Sequence, residues 1–151
     1  MEYMPTPKGI VEFSGVNCYF PDGRQMITMD SENMFLLNAK RLVAKLLYGA
    51  AVSGTSELWY YTIGSGTSAS YASMYKPEAE HTDGWTDMSA TRTRSDTTLL
   101  FNISAPSGIY TGSWGEIVVF TKSGEATLRS TFPSFIKAGD GAITGKYRLI
   151  I

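Results

Sequence analysis

Apolar residues fall in short runs over most of this chain, and the runs predict strands. Ile10-Val-Glu-Phe13 and Asn17-Cys-Tyr-Phe20, split by Ser14-Gly15, predict a first hairpin or one bent strand, and Pro21-Asp-Gly23 predicts the turn after it. Only one stretch changes period. Phe35, Ala39, Leu42, Val43, Leu46 and Leu47 recur at helical spacing, while Asn38, Lys40, Arg41 and Lys45 fill much of the remaining circumference. The spacing predicts an amphipathic helix near 31–48, capped by Asp30 or Ser31, stopped by Gly49 and lying on a sheet.

Glu57-Leu-Trp-Tyr-Tyr-Thr-Ile63 is dense in aromatic and β-branched residues and predicts a central strand. The polar stretch 64–89 is rich in Gly and Ser. A connection of about 25 residues is long against a usual median of about 4–6, so part of it is expected to be an edge strand or a binding loop. Further strands are predicted within 92–104, centred on Leu99-Leu-Phe-Asn-Ile103, and at Trp114–Phe120, Ala126–Pro133 and Ile143–Ile151. The last is expected at a sheet edge that a neighbouring subunit would cover. Together the elements predict a mainly β fold, an antiparallel β-sandwich of Greek-key type with one α-helix. Pro5, Pro7 and Gly9 predict an extended N-terminal arm over 1–9, followed by a single domain over 10–151.

Thirteen basic and fourteen acidic residues leave a net charge of −1 without a basic run, which argues against nucleic acid as the partner. No apolar run is long enough to span a bilayer, and no signal-peptide pattern opens the chain, so no membrane partner is expected. Cys18 is the sole cysteine and reads as a small buried hydrophobe.

Candidate chemistry is sparse, and no cofactor, metal or catalytic residue is assigned. Gly64-Ser-Gly-Thr67 has the glycines of a phosphate loop but neither the lysine nor the helix that should follow. His81 is the one imidazole and reads as a loop residue rather than a catalytic base. Glu78, Glu80, Asp83 and Asp87 crowd into one loop without the spacing of a calcium loop. Glu116, in an otherwise apolar strand, reads as solvated or paired with an arginine. Tyr71, Tyr75 and Trp85 are the candidate interface or glycan contacts, as flat apolar platforms with polar tips.

Five segments carry a resemblance: a helix ending at Leu46-Leu-Tyr-Gly49, Ile63-Gly-Ser-Gly-Thr67, Leu99-Leu-Phe-Asn-Ile103, Trp114-Gly-Glu-Ile-Val-Val-Phe120, and Ala126-Thr-Leu-Arg-Ser-Thr-Phe-Pro133 followed by Ile136-Lys137. In this order, over residues 32 to 151, the chain resembles small virion proteins of tailed bacteriophages of the tail, baseplate and tail-fibre attachment type. It departs from their pattern after Thr67, where Ser68 to Lys76 replaces a proline and an acidic-leucine segment. The resemblance implies a non-enzymatic structural protein of the virion, made in the host cytoplasm. It would act as an adaptor or ring subunit that binds copies of itself and other virion proteins. The alternatives are a capsid decoration or head-fibre protein, or a carbohydrate-binding module.

Overall fold

The computed structural model describes residues 8–49, 57–71 and 73–150. Among these, the order of elements is β1 (Lys8–Tyr19), β2 (Thr28–Phe35), α1 (Leu37–Tyr48), β3 (Leu58–Gly64), β4 (Thr86–Asp87), β5 (Thr93–Ser95), β6 (Thr98–Ala105), β7 (Gly112–Thr121) and β8 (Ala126–Ile150), with a 3₁₀ turn at Ser89–Thr91. The chain is mainly β with one α-helix, and all the strand pairs are antiparallel. β1 is the bent strand rather than a hairpin, and it takes in Lys8 and Gly9 from the expected arm; residues 1–7 lie outside the described residues. Pro21-Asp-Gly23 makes the predicted turn, with Gly23 at φ 88°.

The segments expected as two final strands are one 25-residue strand, β8. Two bulges absorb the residues that read as breaks. Pairing with β7 passes from Thr131↔Glu116 to Phe135↔Trp114, so residues 132–134 bulge opposite Gly115 and Pro133 owes the ladder no N–H. Pairing with β1 passes from Lys137↔Cys18 to Ala142↔Val16, so residues 138–141 bulge opposite Asn17.

The first part of β8 lies between β7 and β2, and its last part between β1 and β6. The C-terminal strand is therefore hydrogen-bonded on both sides and is not an edge, so it leaves no backbone donors for a neighbour to cover. β1 and β2 also pair with each other, which forces the sheet to coil. Its two ends meet across the core: the Tyr61 hydroxyl on β3 accepts from Ser104 N at 3.1 Å and donates to Ser104 O at 3.0 Å on β6. This arrangement is compatible with the expected sandwich, its two layers being halves of one coiled sheet.

The coil encloses Val11, Phe13, Ile63, Trp114, Ile117 and Tyr147 among others. Cys18 is buried there, and burial pushes its thiol pKa up. β7 is buried on both faces. Ile117 and Val119 point into the coil, while Glu116, Val118 and Phe120 point outward beneath a second cover that includes Leu36, Met74 and Tyr60.

The helix begins at Leu37, six residues later than the expected 31–48. Residues 28–35 satisfy their backbone in the sheet instead. Asn33, Met34 and Phe35 pair with β8, Ser31 Oγ donates to Thr131 O at 2.7 Å, and no side chain caps α1. The stop is as expected: Gly49 takes φ 89° and its N–H donates to Leu46 O.

Candidate functional site

The outward face of β7 carries a buried ion pair that fastens the long 64–81 loop. Arg129 on β8 lies beside Val118, two residues from Glu116, so both side chains share that face, and neither is exposed. Glu116 Oε1 accepts from Arg129 Nε at 3.2 Å and from Glu78 N at 2.8 Å. Its Oε2 accepts from Gly66 N at 2.8 Å and Ala79 N at 3.0 Å. Arg129 Nη1 donates to Ser68 O at 2.8 Å and Ser70 Oγ at 2.9 Å. The loop is thus held on its way out and on its return.

Local sequence allows this approach. A Cβ at Gly66 would run into the Glu116 carboxylate, and one at Gly115 would sit 2.8 Å from Ser65 O. The Gly64–Thr67 segment does turn one backbone N–H, that of Gly66, toward an anion, but the anion is the chain's own glutamate. Of the two readings for Glu116, pairing with an arginine is the one observed. Its oxygens are fully occupied and closed to solvent, which leaves no lone pair for a substrate.

The loop presents Tyr71 and Tyr75 at the surface, 58% and 68% exposed. With Met74, Lys76, Pro77 and Glu78 they line a shallow groove of about 250 Å³. Trp85 is not in that lining. It stacks on Phe120 with ring centroids 3.9 Å apart, and its indole N–H donates to Glu80 Oε1 at 2.7 Å. The structure therefore brings two of the three candidate aromatics together and uses the third to cover β7.

The acidic loop is dispersed into separate local contacts. Asp83 accepts from Tyr110 N at 2.7 Å, and Asp87 accepts from Ser89 N and Trp59 Nε1. Among the described residues no three His, Cys, Asp or Glu side chains are placed to hold a metal ion. His81 is half-buried with Nε2 2.9 Å from Ser113 O, a contact in which the ring N–H donates to a carbonyl.

The surface that sequence reasoning placed wrongly is α1. The sequence reading lays the helix on the sheet, but only its start is buried, through Leu36 and Ala39, with Leu42 half-buried after them. Beyond that, Val43 is 43%, Leu46 61%, Leu47 85% and Tyr48 89% exposed. The signal is present in the sequence, since Leu46-Leu47-Tyr48 are three consecutive apolar residues and wrap further around a helix than one buried face can cover. Compared with protein-family models, with curated proteins and with solved structures, the chain matches none.

Proposed function

We propose that this protein is a non-enzymatic structural subunit of a tailed-bacteriophage virion, an adaptor or ring subunit of the tail or fibre attachment, working by protein–protein contact. The observation that carries the contact reading is the exposed apolar half of α1, projecting from a scaffold whose buried polar groups serve the fold rather than a substrate. Exposed apolar surface of this kind marks interaction sites.

The virion assignment rests on the resemblance. Three of its segments, Ile63–Thr67, the Glu116-Ile117 strand and Ala126–Pro133, meet at the Glu116–Arg129 pair, the first of them 50 residues from Glu116 in sequence. Such convergence is what a shared scaffold would require, because each segment supplies a part the other two need. The test is to purify particles of the phage that encodes the chain and identify peptides of their digest by mass spectrometry. Peptides of this chain at a fixed ratio to the major tail or head protein support the reading. Their absence from intact particles overturns it.

A further inference from the structure

We infer that the outer face of the layer formed by β2, β1, the last part of β8 and β6 is a trough that binds a neutral, linear polysaccharide laid across the strands. This goes beyond the assembly role and does not depend on it. The strand registers set Thr28, Ser14, Thr144 and Ser104 directly opposite one another in a single row, and Asp30, Glu12, Lys146 and Asn102 in the next. All eight are exposed, because the residues that alternate with them, such as Phe13 and Ile103, point into the coil.

Two cavities lie between the rows. One of about 500 Å³ has Ser14, Thr144 and Ser104 along one side and Glu12, Lys146 and Asn102 along the other, with Gly145 and Ile103 beneath. The second, of about 290 Å³, continues onto β2 between Thr28 and Asp30. Both are lined by Glu12 and Ser14, so they form one trough across four strands. Three inter-strand spacings of ~4.8 Å make it about 14 Å long, the reach of a short run of sugar units.

The fold does not use the groups that wall it. Ser104 and Asn102 engage only their backbone, and among the described residues the four hydroxyls, the Asn102 amide, the Lys146 ammonium and the Asp30 carboxylate have no hydrogen-bond partner in the chain. Glu12 is engaged alone, 3.6 Å from Arg148 in a solvent-exposed pair.

Their chemistry selects the ligand. Glu12 and Asp30 offset Lys146 and Arg148, so the trough carries no net charge to hold a phosphate backbone. Among the described residues no cluster is placed to hold a metal ion, and both walls are polar throughout, with no pocket for a peptide's apolar anchor. A ligand that donates and accepts at close intervals without charge fits, and the hydroxyls of a sugar chain do so. Val16 and Ala142, next along the same face, border the hydroxyl row with apolar surface on which the C–H face of a sugar ring can rest; Val16 is 64% exposed.

The test titrates the isotope-labelled full chain with cellohexaose, maltohexaose, mannohexaose and chitohexaose. At least one should bind with a millimolar or lower dissociation constant and shift amides centred on residues 12–14, 28–30, 102–104 and 144–146. Ser104→Ala and Thr144→Ala should each raise that constant about fivefold, the equivalent of one net hydrogen bond of ~1 kcal/mol. Ser14→Trp should fill the trough and abolish binding at an unchanged melting temperature, whereas Tyr75→Ala should leave binding as it was.

Silence from all four sugars overturns the inference. Shifts centred on Tyr71–Glu78 overturn it too, and move the sugar to the aromatic groove. Tighter binding of a heparin hexasaccharide than of any neutral sugar would replace it with an anion site. None of these outcomes touches the virion role, which the particle digest decides.

Discussion

Glu116→Gln exchanges one oxygen for an amide nitrogen and nearly preserves the side chain's shape, so its effect reports charge and hydrogen bonding rather than packing. In the native chain the two oxygens accept four donors between 2.8 and 3.2 Å away. Glutamine retains one acceptor, and its NH₂ group then faces backbone N–H groups that have no other partner. Arg129 is left charged, unexposed and without its counter-ion. Removing one member of a buried pair costs about 3–5 kcal/mol, roughly a fifth or more of a stability of ~5–15 kcal/mol.

Urea unfolding followed by tryptophan fluorescence checks the magnitude. With a slope near ~2 kcal/mol/M, a loss of about 4 kcal/mol lowers the midpoint by about 2 M. Limited proteolysis should also cut between residues 66 and 80 before the sheet unfolds. A companion variant, Glu116→Leu with Arg129→Met, separates this clamp from an ordinary buried pair. Apolar replacement of an ordinary pair is often neutral or stabilising. Here Gly66 would lose the acceptor of a buried N–H, at roughly 1–3 kcal/mol, and the part-buried N–H groups of Glu78 and Ala79 would lose theirs, so the double variant stays destabilised. Native stability in the double variant, or a midpoint shift under ~0.3 M in Glu116→Gln, would refute the clamp.

Gly66→Ala should destabilise by about 2–3 kcal/mol in the same assay because its Cβ meets the Glu116 carboxylate, whereas Gly23→Ala, open on all sides at φ 88°, should lose only ~1 kcal/mol of backbone strain. Tyr147→Phe should cost less than ~1 kcal/mol, since the ring stacks on Phe101 at 4.9 Å and the buried hydroxyl, with the Ser130 hydroxyl as its polar neighbour, makes no hydrogen bond of good geometry; a larger loss would contradict this. Burial raises the pKa values of Tyr61, Tyr110 and Tyr147, the last of them well above the ordinary value. Their contribution is complete below the unfolded value of about 10 and is lost as pH rises above it. Tyrosinate absorbance against pH should therefore show Tyr61, Tyr110 and Tyr147 ionising above the ordinary tyrosine range, Tyr147 last.

Short-range chemistry was legible in the sequence. The turn at Pro21–Gly23, the stop at Gly49 and the strands around Leu58–Ile63 and Trp114–Phe120 each depend on residues adjacent in the chain. The failures share a cause. Asp30 and Ser31 cap helices well, yet the same hydroxyl and carboxylate fit a strand once β1 offers a ladder, and nothing local reveals that ladder. Pro133 and the Gly139-Asp-Gly141 stretch read as strand ends, because a bulge is defined by the partner strand and not by its own residues. The same holds at the site. An arginine partner for Glu116 was foreseen as a type of contact, but the loop's dependence on that glutamate spans 50 residues from Gly66.

A rigid loop matters to any contact made through it, because ordering a flexible one on binding costs free energy for each side chain fixed. Without the clamp, the Gly- and Ser-rich segment 64–73 would sample many conformations, and Tyr71 and Tyr75 would form a groove only part of the time. Glu116 and Arg129 fix the loop from Gly66, Ser68 and Ser70 before Tyr71 to Glu78 and Ala79 after Tyr75, so the groove's walls are set by contacts on both sides of it. An apolar pair could fill the same space, but it would tolerate sliding of the loop by a residue, because dispersion is not directional. Four donors converging on one carboxylate permit a single register. Glu116→Gln should therefore loosen the loop before the sheet, and hydrogen exchange at the N–H groups of Gly66, Glu78 and Ala79 should speed up more than exchange within β7 and β8.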